Sequence, residues 1–196
     1  MLYHSLMFLS FLACHTPRPL LLGAGWVLGS LYYLLIPKMR RRAVEHMMPA
    51  LDISEAEAKK LVRASFINMA RNVLDILAMP MLNEKNLSEY IEIDHLERMQ
   101  EALSEGHGVV VLTGHVGCWE WLSAAFTLNG IPVSAIAKPQ PNIEYTRVLD
   151  DLRATIHVEI FSRGTSELIA AARALKRGRL LVQGGRGGLV VLDLQR

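Results

Sequence analysis

The chain has 196 residues, 51% of them hydrophobic and 20% charged, with a formal net charge of +2. That composition excludes an intrinsically disordered chain. The 14 glycines show no three-residue period and there are only 2 cysteines, which excludes collagen-like and disulfide-scaffold classes. So small a net charge makes no case for nucleic acid. The mean hydropathy of +0.23 is high for a freely soluble protein and points to a membrane or lipid partner.

Residues 1–37 differ from the rest. From Pro19 to Pro37 the chain carries no charged residue. As a helix this stretch reaches about 27 Å, just short of the ~30 Å hydrocarbon core of a bilayer. Lys38, Arg40, Arg41 and Arg42 follow it, a cluster that holds that end on the cytoplasmic side, near anionic head groups. Trp26, Tyr32 and Tyr33 suit an interfacial position. Three readings compete: a membrane-embedded or monotopic anchor, a buried core helix, and a cleaved signal peptide. The last is disfavoured because Met1 to Ser10 lacks Lys and Arg. The resulting division is an anchor over 1–37 and an α/β domain over 38–196.

Ser54-Glu55-Ala56-Glu57 has the form of a capping box and predicts a helix running to about Met79, stopped by Pro80. Its polar stripe, Ser65, Asn68, Asn72 and Asp75, reads as ordinary surface. Beyond Asn83 the pattern alternates. Tyr90–Ile93 predicts a strand and Leu96–Ser104 a helix. Val109–Leu112 is wholly apolar, the mark of a strand buried on both faces. Helices are expected over Trp119–Asn129, Ile143–Ala154 and Ser166–Arg177, and strands over Pro132–Ala137, Val158–Phe161 and Leu180–Val182. This order predicts an α/β fold: a mostly parallel sheet flanked by helices, behind a membrane-associated helical entry.

In open parallel sheets, ligands gather at the carboxyl ends of strands. The most buried strand ends in Thr113-Gly114-His115-Val116-Gly117-Cys118-Trp119-Glu120. Five residues of continuous helix would leave His115 and Glu120 some 140° apart. They can meet only if His115 precedes the helix and the glycines turn the chain between them. A histidine held by a carboxylate is a general base. No serine or cysteine nucleophile stands convincingly beside it, so the expected chemistry is direct deprotonation of a substrate hydroxyl that attacks an acyl carbonyl. Spacing alone equally admits a loop histidine beside an unrelated glutamate. The scattered His46, His95, His107 and His157 lack ligand spacing, so no metal is expected.

The segment Gly-His-x-Gly-x-Trp-Glu after a valine-rich strand resembles the His-x4-Asp/Glu acyltransferases. It is most similar to the bacterial lipid A biosynthesis family of lauroyl and myristoyl type. The apolar amino terminus, the arginine-rich segment, Ala137-Lys138-Pro139-x-x-Asn142 and Phe161-Ser162-Arg163-Gly164 also resemble that family. The resemblance implies a transferase at the inner face of the cytoplasmic membrane. It would move an acyl chain from acyl-carrier protein or coenzyme A to a lipid or glycolipid acceptor, without a further cofactor. His115 would be the base and Glu120 its partner, with Lys138, Asn142, Arg153 and Arg163 at the substrate. Against this, Arg147 and Arg153 share a helix with Asp150 and Asp151 and read equally as a solvated, ion-paired face. After Gln183 the family pattern is lost in a glycine-rich tail, so a truncated carboxyl terminus is expected.

Overall fold

The computed structural model describes residues 1–114, 117–162, 167–184 and 190–192. The chain divides into two compact units: residues 1–14 with 76–196, and residues 15–75.

In the second unit, α2 (Arg18–Leu35) is the apolar stretch expected from the sequence. Pro37 opens α3 (Pro37–Leu51), where a missing amide hydrogen is tolerated, so Lys38 to Arg42 occupy its first turns. No single helix among the described residues is long and apolar enough to cross a membrane. The pair α2 and α3 reaches that length and composition together, but bent by 92°.

The capping box forms as the sequence predicts. The Ser54 Oγ accepts from the Glu57 amide at 3.3 Å, and Glu57 Oε2 accepts from the Ser54 amide at 3.1 Å. It starts α4 (Glu55–Ala78), which Pro80 ends within a 3₁₀ turn, Met79–Met81. Although α2 is apolar all round, only Leu21, Gly25 and Gly29 are buried, one residue every four. The two glycines let α4 approach closely: a Cβ at Gly29 would lie 2.4 Å from the Ile67 Cα, and one at Gly25 3.1 Å from the Arg71 Cα. The stripe's expected solvation fails at Asp75, which is buried and ion-paired with Arg18 across the two helices.

In the first unit, α1 (Leu2–His15) is tied down by polar contacts. The buried Ser10 hydroxyl donates to the Leu77 carbonyl at 2.6 Å, and the Tyr3 hydroxyl donates to Asp151 at 2.6 Å. The sheet contains β1 (Val109–Thr113), β2 (Val133–Ala137), β3 (Glu159–Ser162), β4 (Leu180–Gly184) and β5 (Val190–Leu192) in the order β3-β2-β4-β1-β5. β1 to β4 are mutually parallel; β5 adds antiparallel to β1. The α/β reading therefore holds, and β5 was not anticipated. The connecting helices are α7 (Trp119–Thr127), α8 (Ile143–Ala154) and α9 (Glu167–Lys176). The chain moves outward from β1 to β2 to β3 and then back to β4. Right-handed crossovers consequently put α7 and α8 on one face and α9 on the other.

The strand expected over Tyr90–Ile93 does not form. Tyr90 closes a short helix, α5 (Leu87–Tyr90), and its ring stands edge-on to buried Trp121 with centroids 6.0 Å apart. Ile91 follows in an extended conformation, residues 91–93 pair with no strand among the described residues, and α6 (Leu96–Ser104) leads to β1.

At the amino ends of the strands, fully buried Ser134 donates to Glu159 at 2.7 Å and accepts from Arg179 Nε at 2.7 Å, while Arg177 also binds Glu159. Burial alone would push the Glu159 carboxyl up, but the Ser134 and Arg177 hydrogen bonds, with both arginine charges, hold it below its ordinary 4.5.

Two predictions follow from these contacts. Gly29→Ala loses about 1–3 kcal/mol through overpacking, whereas Gly23→Ala, with nothing within 4 Å of the added methyl, does not destabilise; urea unfolding compares them. The Glu159 carboxylate stabilises the fold above its unfolded value of 4.5, and that contribution is lost as pH falls through the lower folded value. In acid titrations of stability, the gap between wild type and Glu159→Gln therefore narrows below about pH 4.5; a pH-independent gap refutes the assignment.

Candidate active site

The parallel register places Ala135, Ile160 and Val182 at one level of the sheet. Alternation gives the same face to Thr113, Ala137 and Val158. On that face, beneath α7 and α8, lies a cavity of about 590 Å³. Its floor is made by those six residues. Ile76 and Leu149 close its sides, Trp119, Glu120 and Ser123 come from α7, and Arg153 comes from α8. Lys138 and Gln140 stand at its upper rim, beyond the carboxyl end of β2. The cavity thus opens where strand topology predicts a ligand site.

Gly117 has φ +60°, a left-handed conformation that favours glycine, on the way from β1 into α7. The helix then begins at Trp119, and Glu120 falls in its first turn, where the amide-rich end favours a carboxylate. Glu120 is buried, its side chain only 7% exposed, and Arg153 is 14% exposed. The two form a bidentate pair: Arg153 Nε donates to Oε2 at 2.9 Å and Nη2 to Oε1 at 2.5 Å. The planar guanidinium fork matches a carboxylate in this way. Burial alone pulls the Arg153 guanidinium down, but the hydrogen bonds and charge of Glu120 outweigh it, and the net shift is upward. The carboxylate accepts two of about four possible hydrogen bonds from arginine, which leaves acceptor capacity for another donor.

The structure therefore brings together Glu120, Arg153 and Lys138, which all line one cavity. The solvated-face reading of α8 is corrected. Arg153 makes a 3.5 Å contact with Asp150, but its closest partner is Glu120, 33 residues away. Arg147 lies over the Tyr3 ring at 4.4 Å. Asn142 caps α8, its side-chain oxygen accepting from the Glu144 amide at 2.9 Å, and it is not among the residues that line the cavity. His115 and Arg163 lie outside the described residues. Sequence reasoning missed Ser123 and Gln140 as lining residues. Ser123 was legible in principle, since it follows Glu120 by three positions on a helix and so shares its face.

The family model of the bacterial lipid A biosynthesis acyltransferases covers residues 3–183, and the chain belongs to that family. A phosphatidylinositol mannoside acyltransferase of Mycolicibacterium smegmatis is 24% identical over 117 residues, which is 58% of this chain and 37% of that protein. The match thus spans little more than a third of the length of that curated relative.

Removing one member of the ion pair strands the other as a buried charge. Arg153→Met should cost about 3–5 kcal/mol in chemical unfolding, and adding Glu120→Gln should restore part of the loss. A single variant as stable as the wild type would show that the pair does not form.

Proposed function

We propose that this chain carries the site of an acyltransferase that moves a fatty acyl group from a thioester onto a hydroxyl of a lipid acceptor. The observation that supports this best is the buried Glu120 in the first turn of α7, held by Arg153 at the wall of a cavity and five residues after His115. In this reading His115 takes the proton of the acceptor hydroxyl as its oxygen attacks the thioester carbonyl. The tetrahedral intermediate then collapses to the new ester, and the leaving thiolate takes up from His115 the proton that came from the acceptor hydroxyl. Glu120 orients the imidazole and stabilises its charged form. Arg153 is a positioning residue: it holds the carboxylate in one geometry.

The donor is a thioester of acyl-carrier protein or coenzyme A, and no cofactor is required. The acceptor is a lipid A precursor or another glycolipid. The name of the mycobacterial relative adds a phospholipid-linked mannoside as a candidate. The exposed Lys138 at the cavity rim suits the phosphate of such a lipid or of a phosphopantetheine. Arg163 belongs to the same proposed substrate region, whereas the Asn142 side chain is engaged in the cap of α8. Apolar side chains such as Phe8, Phe11, Trp26, Leu28 and Leu35 are exposed on α1 and α2, as suits helices that lie against lipid. The basic start of α3 favours the anionic, cytoplasmic face of an inner membrane.

Transfer of labelled acyl groups from each donor, with product mass spectrometry, tests the reading. His115→Ala should lower turnover by about 10²–10⁴-fold with an unchanged circular dichroism spectrum, and Glu120→Ala should lower it less. Full activity in His115→Ala overturns the mechanism.

A further inference from the structure

Ser123 stands one helical turn beyond Glu120 on the same face of α7. It is 6% exposed and lines the cavity. Its carbonyl accepts from Thr127 at 3.0 Å, but its hydroxyl makes no hydrogen bond among the described residues. Nor is that oxygen sealed in the protein, since the sole sealed, unpaired side-chain oxygen among the described residues is that of Ser30. It therefore opens onto the cavity. The other polar groups around it are engaged or lie at the rim: Thr113 donates to the Gly114 carbonyl, Glu120 and Arg153 hold each other, and Lys138 and Gln140 are exposed. The deep part is otherwise apolar, formed by Ile76, Ala135, Leu149, Val158, Ile160 and Val182. From the level of Lys138 to that of Val158 the cavity runs about five strand residues, or roughly 17 Å. An entirely apolar occupant would leave this hydroxyl desolvated without a partner, which is unfavourable.

We propose that Ser123 is a specificity residue that hydrogen-bonds a hydroxyl group on the lipid substrate seated beyond Glu120. The proposal rests on the acyltransferase reading and deepens it: the substrate carries a hydroxyl that Ser123 recognises, besides the one that is acylated. The hydroxyl has two chemical sources, the acyl chain of the donor or the head group of the acceptor.

Binding is followed through tryptophan emission, since Trp119 lines the same cavity. One arm compares hydroxydodecanoyl-coenzyme A with dodecanoyl-coenzyme A. The other compares dodecyl mannoside with its deoxy analogues. The hydroxylated ligand should bind the wild type about five- to tenfold more tightly in one arm, which identifies the source. Ser123→Ala should abolish that discrimination, and Ser123→Thr should retain most of it, with circular dichroism confirming the fold of both. In turnover the same discrimination should appear in KM rather than kcat. Binding without hydroxyl preference, or a preference that survives Ser123→Ala, overturns the inference and leaves the acyltransferase reading standing; the hydroxyl would then turn to the backbone of its own helix. Failure of the wild type to bind or turn over any of these lipids overturns both.

Discussion

A carboxylate cannot be buried alone. Glu120 sits in a wall that is otherwise largely apolar, and its charge is tolerable there because Arg153 reaches across from the next helix. That requirement ties α7 to α8. α8 is also held elsewhere: its cap at Asn142, the Tyr3 hydroxyl on Asp151, and Arg147 over the Tyr3 ring fix the helix along its length. A guanidinium aimed at two oxygens within hydrogen-bond distance leaves little freedom in how the helix that bears it can sit. The cavity between the helices and the sheet is the space that this bridge holds open.

The boundary of α8, Ile143–Ala154, was readable from sequence, as was the capping box that begins α4. Both rest on signals confined to a few neighbouring residues. Tyr90–Ile93 misled because alternation describes which side of a segment is apolar, not whether a partner strand exists. Here Tyr90 is apolar-facing because it meets Trp121. β5 was missed although Leu189 to Leu192 is a wholly apolar run, because a glycine-rich stretch before it reads as the end of the pattern.

The site divides in the same way. Glu120 was found because its type and its spacing from the strand end carry chemical meaning. The partner of Arg153 was not, because Asp150 and Asp151 are near in sequence and Glu120 is near only in space. Asn142 shows the converse. Its position before a helix is itself a full explanation for an asparagine, and the structure uses the side chain for that purpose. Asp75 looked like a surface residue on a polar stripe, yet Arg18 neutralises it in a buried setting. At Arg153 and Asp75 a long-range charge partner decided what local pattern could not.

The two alanines of β2, Ala135 and Ala137, stand where a buried parallel strand commonly carries branched side chains. The hollow under α7 and α8 is therefore made by omission as much as by construction. Its depth is stored in the methyl groups those positions lack, not in a loop or a hinge. Such a hollow can be reshaped by single-base changes in the gene, since Ala→Val is one and fills it with two more methyl groups. The sheet backbone and the ion pair above it would stay where they are.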